Sequence, residues 1–548
     1  MSTIATGAAI KPGGDLLSRE RIIAGPGFNR WTIPPAALAI HLCIGMAYGL
    51  SVFWSPLTHA LNGAKPVACP AGSGLWNELF TTSCDWSVFG VSLTFAIGIV
   101  FLGLAAMAFG GWLERVGPRK AGVVAALCWV GGFVVGAFAI HIHQLWLLWL
   151  GLGVLGGVGL GIGYISPVST LIRWFPDRRG MATGMAIMGF GGGAMVGAPL
   201  ANILMGHFKT TTDIGVVPTF LTLAAGYLVY MMIGAFSYRV PPAGWRPDGW
   251  TPPATRSALI STRSVALENA HRTPQFWLLW AALFLNVAAG IGVIGMAAPM
   301  LQEIFGGGLI GKVGTAFTAL SGPEKAAVTA ITAGFAGLLS LFNIFGRFFW
   351  ASLSDKLGRK NTYMVFFVLG FALYALSPWA AHGNHLALFV LFICLILSMY
   401  GGGFATVPAY LADLFGTQYV GAIHGRLLTA WSAAGAIGVS LVGLIRQAEI
   451  KAGVPTAQLY DYTFYVLSAF LIVGFIANLL VRPVDDKWHM SDAELASAQH
   501  QNKAPPVAQS YGIGLGGYSP GALIGWTIVV VPLLFGLYET LSVAVKLF

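Results

Sequence analysis

The chain has 548 residues, 56% of them hydrophobic and only 9% charged, with a formal net charge of +10. Soluble domains carry about 25% charged residues, so the composition excludes a soluble globular protein and places the chain in a membrane. The basic residues are spread over short loops rather than gathered into one patch, which argues against nucleic-acid binding.

Residues 1–33 hold Lys11, Arg19, Arg21 and Arg30 but lack the apolar core of a cleavable signal, so they read as a cytoplasmic segment. A membrane-crossing helix needs about 20 apolar residues. Such runs fall near 34–58, 87–111, 121–140, 145–172, 181–206, 217–238, 275–302, 327–350, 361–381, 386–411, 422–445 and 459–481, and a thirteenth near 521–547. The long loop 59–86 carries Cys69 and Cys84, which are disulfide candidates if the loop faces an oxidising compartment. Cys43, Cys128 and Cys394 lie in spans and read as packing residues. Gly153, Gly157 and Gly161 in the fourth span, and Gly189, Gly193 and Gly197 in the fifth, form small faces for close helix packing. Gly151-x-Gly-x-x-Gly156 mimics a dinucleotide fingerprint but sits in an apolar helix with no strand before it.

Counting Lys and Arg sets the orientation. With a cytoplasmic N-terminus, the far side holds only Lys65, Lys209, Lys312, Lys325, Arg446, Lys451 and Lys546; apart from Arg347, all the rest fall on the near side. The thirteenth span then puts the C-terminus outside.

Arg347 is the one charged residue placed deep in the first twelve runs. An arginine in hydrocarbon costs about 2.5–3.5 kcal/mol even on the lenient scale, so it is expected to face a cavity. It lies eight residues before Asp355, about 12 Å along a helix, well inside the membrane. With no carboxylate deep in the runs to neutralise it, an anionic substrate is the natural partner.

The chain also repeats. Gly111-Trp-Leu-Glu114-Arg115-Val-Gly117-Pro118-Arg119-Lys120 follows the second span, and Ala351-Ser-Leu-Ser-Asp355-Lys356-Leu-Gly358-Arg359-Lys360 follows the eighth, about 240 residues on. Gly163, Leu171 and Phe175 match Gly403, Leu411 and Phe415 in the same way. Two six-span halves of like orientation follow, with the substrate site expected between them near the midplane. The expected organisation is 1–33 N-terminal segment, 34–238 first half, 239–274 basic cytoplasmic linker, 275–481 second half, 482–520 polar flexible linker with Pro505-Pro506, and 521–548 additional helix. Glu539 in that helix reads as interfacial.

The repeated loop pattern resembles the signature of the major facilitator superfamily. Arg173-Trp-Phe-Pro-Asp-Arg-Arg-Gly180, Arg272-Thr-Pro-Gln-Phe-Trp277, Asn343 to Trp350 and Asp413-Leu-Phe-Gly-Thr417 resemble the oxalate:formate antiporter family, a relative of the monocarboxylate transporters, over about residues 30–485. The resemblance implies an all-α carrier in which Arg347 binds the substrate carboxylate. Asn343 lies one turn earlier, and Tyr48, Tyr164, Phe190, Tyr400 and Phe404 line the pocket. The family's second cation, a lysine, aligns with Trp431 here, which puts oxalate in doubt and favours a monoanion; Arg426 is the candidate substitute. Asn343 stands where proton-coupled relatives have an aspartate, leaving His41 and His424 as candidate proton carriers. Glu114, Arg115, Arg119, Asp355, Lys356 and Arg359 would hold the halves together in one state.

The expectation is therefore a plasma (bacterial inner) membrane transporter exchanging small carboxylates of the oxalate/formate type, working without a cofactor or metal and as a monomer, with a partner contact through the thirteenth helix left open. The alternatives are a proton-coupled or uncoupled monocarboxylate carrier for formate or a pyruvate-like acid, and a ligand sensor on a transporter scaffold. Nothing in the sequence suggests an enzyme.

Overall fold

In hydrocarbon every backbone polar group must be satisfied within its own element, which leaves helices as the natural outcome for these runs. A computed structural model describes residues 15–61, 63, 67–70, 73–242, 244–251, 259–500 and 520–545. Among them are 13 helices long and apolar enough to cross a bilayer. They are α1 (Arg30–Leu57), α2 (Val88–Val116), α3 (Pro118–His141), α4 (Leu145–Trp174), α5 (Arg179–Phe208) and α6 (Val216–Ser237), then α7 (Pro274–Ile310), α8 (Gly322–Leu357), α9 (Arg359–His382), α10 (Leu386–Phe415), α11 (Val420–Lys451) and α12 (Thr456–Leu479), and finally α13 (Pro520–Ala544).

Two six-helix halves are present, and they pack by the same rule. In the first, α1 packs on α5 and α6, α2 on α4, and α3 on α4 and α6; in the second, α7 packs on α11 and α12, α8 on α10, and α9 on α10 and α12. The seams between halves repeat the pattern, α5 against α8 and α11 against α2. The repeated motif marks the same joint in each half. Gly117 and Gly358, with φ of 84° and 83°, turn the chain from α2 into α3 and from α8 into α9, a conformation open to glycine at little cost.

Glycine does the close packing the sequence suggests. A Cβ on Gly157 or Gly161 of α4 would come within 2.7 Å of the Gly98 carbonyl oxygen or 2.4 Å of that of Leu102, both on α2. A Cβ on Gly193 of α5 would reach the Leu42 carbonyl at 2.4 Å.

Several helices run past the apolar stretches. α7 and α11 extend far enough to take in Glu303 and Arg446. Arg446, expected in an outer loop, is instead paired within the second half with Glu303, which also accepts from the Tyr460 hydroxyl at 2.7 Å. Cys69 and Cys84 form a disulfide, Cα–Cα 5.0 Å, while Cys43, Cys128 and Cys394 are free. The segment 482–520 is not wholly irregular. It carries a helix Asp492–His500, started by Ser491, whose backbone N–H and hydroxyl donate to Glu494 at 2.7 and 2.8 Å. Those bonds hold the Glu494 carboxyl below its ordinary range. Residues 501–519 of that linker, with Pro505-Pro506, and Lys11, Lys65 and Lys546 lie outside the described residues.

α13 lies along the α5–α8 seam and also touches α1. The Tyr230 hydroxyl on α6 donates to the Ile528 carbonyl of α13.

Candidate functional site

Arg347 sits on α8 where that helix crosses α5, and none of it is exposed. Its Nε donates to Asn343 Oδ1 at 3.2 Å, the neighbour one turn back. Nη1 donates to the Ile187 carbonyl of α5 at 3.1 Å, so the side chain bridges the two halves. Nη2 has no hydrogen-bond partner among the described residues, and no Asp or Glu among them forms an ion pair with this arginine. A buried cation with an open donor and no countercharge is poised for an anion.

Aromatic rings close around it. Arg347 Cζ lies 5.8 Å from the Phe190 ring centre and 5.5 Å from that of Phe404. Trp431 packs on both rings, at 5.4 and 4.7 Å. Tyr164 meets Phe190 edge to face and Trp431 at a tilt, each at 5.3 Å. Tyr48 and Tyr400 meet hydroxyl to hydroxyl at 3.1 Å across the halves, and the Tyr48 hydroxyl also faces the guanidinium and the Trp431 indole. Tyr48 is the partly exposed member, and the other five rings are buried. All eight residues expected at the site, Asn343 and Arg347 included, converge. Water exclusion by such walls strengthens any arginine–anion pair.

Two glycines make the space, and sequence reasoning missed both. A Cβ on Gly191 would stand 3.0 Å from Arg347 Nε, and one on Gly401 would meet the Asn343 carbonyl oxygen at 2.3 Å.

The end of the bundle carrying the α2–α3 and α8–α9 turns is held shut by the motif carboxylates. Asp355 accepts from the backbone N–H groups of Gly180 and Met181 at 2.8 and 2.9 Å, at the start of α5 in the other half. Glu114 accepts from Gly421 N at 3.1 Å, at the start of α11, again in the other half. Each acid therefore sits at the positive end of a helix dipole across the seam. Arg173 pairs with Glu114. Arg179 reaches Asp413 at 3.0 Å across the halves, and Arg359 binds Asp413 and Asp355 at 3.3 and 2.6 Å.

Three sequence expectations need correction. Arg115 and Lys356 are exposed on the surface and take no part in this lock; the cations are Arg173, Arg179 and Arg359, because only they stand on the helix faces turned to the seam. Arg119 binds the Leu16 and Phe236 carbonyls, both at 3.1 Å, which ties the N-terminal segment to the first half rather than joining the halves. Arg426 does not enter the site: its guanidinium is held by the Leu267 carbonyl at 2.5 Å and His271 at 2.8 Å, on the linker side. The signal for Arg173, Arg179 and Asp413 was present in the family-like segments that contain them.

The two histidines differ. His41 Nδ1 lies 2.5 Å from the Ala186 carbonyl oxygen and Nε2 3.1 Å from that of Tyr164. His424 is buried with neither ring nitrogen hydrogen-bonded among the described residues.

Comparison with known proteins places this geometry. The family described as Major Facilitator Superfamily matches residues 36–439 and 324–547. The oxalate:formate antiporter of Oxalobacter formigenes is 26% identical over 407 residues, 71% of this chain and 82% of that protein. Human monocarboxylate transporter 11 is 30% identical over 187 residues, 34% of each chain. The proton:xylose symporter XylE shares the fold, with a TM-score of 0.59 and 12% identity over 82% of this chain and 95% of its own.

Proposed function

The chain belongs to the Major Facilitator Superfamily, and from that premise we propose that it is an alternating-access secondary transporter of small carboxylate anions, working by exchange of the oxalate/formate type. The carrying observation is Arg347, buried with no countercharge and with Nη2 open among the described residues. A carboxylate docks there, one oxygen on Nη2, while Asn343 and the Ile187 carbonyl hold the guanidinium's plane. Exchange follows from the charge. The empty arginine resists passing through the occluded state, whereas the liganded one is neutralised. The similarity to the oxalate:formate antiporter supports this reading.

A second reading, a monocarboxylate carrier, is favoured by Trp431, which puts an uncharged indole in the site wall beside Phe404. The similarity to a monocarboxylate transporter is consistent with it. In either case we place the chain in a plasma or bacterial inner membrane, with the locked end and the N-terminus in the cytoplasm and the C-terminus outside.

The test is uptake of labelled formate and labelled oxalate into proteoliposomes, with and without internal unlabelled anion, for the parent and for Arg347→Gln. Uptake that needs internal anion is expected in the parent. It should fall at least about 100-fold in the variant, the scale of a lost charge-assisted hydrogen bond at a desolvated site. Uptake indifferent to internal anion selects the carrier reading, and uptake that survives in Arg347→Gln overturns both.

A further inference from the structure

We propose that His41 is a proton-binding site that acts as a switchable second cation, so that one pocket passes a monoanion alone and a dianion together with one proton. The proposal rests on the carboxylate reading above and deepens it by assigning the charge of the second substrate.

The geometry is specific. His41 is wholly buried on α1, and each ring nitrogen faces a backbone carbonyl, Ala186 at 2.5 Å on α5 and Tyr164 at 3.1 Å on α4. A neutral imidazole has one N–H and one lone pair. Either neutral tautomer therefore points a lone pair at a carbonyl oxygen. Only the imidazolium donates to both. The ring is thus held in a cradle shaped for its charged form.

The cradle adjoins the arginine. Ala186, which faces His41, precedes Ile187, whose carbonyl accepts from Arg347. The imidazole and the guanidinium thus bond to successive carbonyls in one turn of α5 and lie close enough to interact electrostatically. The titratable groups facing His41 are the Tyr164 phenol from α4, Arg347 from α8 and His424 from α11. α5 presents Ala186, Gly189 and Phe190, α6 meets the neighbouring Ala36, Ala39 and Ile40 with Gly234, and α13 meets the neighbouring Leu38 and Leu42 with Val529 and Leu533. None of these is an acid.

Charge accounting completes the argument. Beside Arg347 in an empty site, a second positive charge is unfavourable, so the ring is neutral. A monoanion cancels Arg347 and leaves no need for another charge. A dianion leaves one negative charge over, and His41 supplies its counterpart. The imidazole lone pair takes a proton from water on the side where the dianion enters and returns it on the side where the dianion leaves. One negative charge crosses in either case, so exchange of a dianion plus proton for a monoanion is electroneutral.

The experiment uses full-length protein in proteoliposomes loaded with formate and a pH-sensitive dye, with oxalate or formate added outside at neutral pH. In the parent, oxalate uptake should acidify the interior by about one proton per oxalate, and formate uptake by none. His41→Gln keeps a donor and an acceptor but cannot take the charge; it should lower the oxalate-to-formate rate ratio at least about tenfold. Oxalate entry without a proton overturns the proposal, as does an unchanged ratio in the variant or a parent that exchanges formate but never oxalate. The proton measurement on the parent decides the matter should the variant fail to fold. A parent that exchanges no carboxylate at all overturns the exchange reading itself, and this inference with it.

Discussion

Arg347 owes its position to what its neighbours lack. Gly191 leaves room for the guanidinium, since a Cβ there would lie 3.0 Å from Nε and 3.2 Å from Ile344 Cγ1, both ends of side chains that can shift. Gly191→Ala should therefore fold normally and displace the guanidinium. Misplacing a binding group by a fraction of an ångström weakens binding about tenfold or more, to be read as a raised half-saturation concentration for formate exchange. Gly401 is different, because its added Cβ would meet the backbone carbonyl of Asn343 at 2.3 Å, which cannot shift without moving α8 from α10. Gly401→Ala should cost about 1–3 kcal/mol of stability, seen as a lower melting temperature. These two positions explain what the sequence revealed and what it concealed. An arginine in an apolar run announces itself because its burial is costly. Among 73 glycines, the two that shape its pocket carry no such mark, since their role depends on which helix lies opposite.

The element scale is governed by helix ends. Asp355 and Glu114 close the basic end by bonding to the first N–H groups of α5 and α11, where unpaired donors and the dipole both favour an anion. In Asp355→Asn one oxygen becomes an NH₂ that faces an N–H, so one bond turns repulsive. A loss of about 1.5–3 kcal/mol is expected, enough to shift the open-to-closed ratio more than tenfold. Thr183, buried where its hydroxyl donates to the Ala405 carbonyl at 2.7 Å across the seam, reports that opening. Thr183→Cys, with the three free cysteines replaced by alanine, should label at least about ten times faster in the Asp355→Asn background. In Arg115→Ala or Lys356→Ala backgrounds the rate should hold, as exposed surface changes stay within about 0.5 kcal/mol. The motif was legible in the sequence, and its two acids are the ones that bond across the seam. Of the cations that answer them, Arg359 was expected and Arg173 and Arg179 were not, because the acids bind backbone donors far along the chain, and backbone donors leave no trace in residue identity.

For the whole molecule the question is how α13 rides on a moving carrier, given that it touches both halves. On the first half it is fixed at several places: Tyr230 donates to the Ile528 carbonyl, Gly525 abuts Pro35, Gly192 abuts Leu533, and Gly536 lies against the Met195 carbonyl. On the second half, among the described residues, its main contact is α8, where Gly334 and Gly337 face Val543 and Thr540. The sequence could not decide this, since α13 is apolar on every face but for Glu539 near its end, and its docking face shows in partners from α1, α5, α6 and α8. Rocking of the halves changes the angle at the α5–α8 seam, so α13 must stay with one half and slide on the other. The contacts assign it to the first. A Cβ on Gly525 would stand 3.4 Å from that of Pro35, near the Cβ–Cβ spacing of a disulfide, about 3.5–4.5 Å, and one on Gly337 would stand 3.2 Å from Thr540 Cγ2, an atom at a position a cysteine Sγ can take. The pair Gly525→Cys with Pro35→Cys should form a crosslink that leaves formate exchange running. The pair Gly337→Cys with Thr540→Cys should stop exchange when oxidised and release it on reduction, because it ties α13, and through it the first half, to α8. Arrest by the first pair and not the second would mean that α13 travels with the second half. Arrest by neither would mean that the seam beneath it does not move during transport.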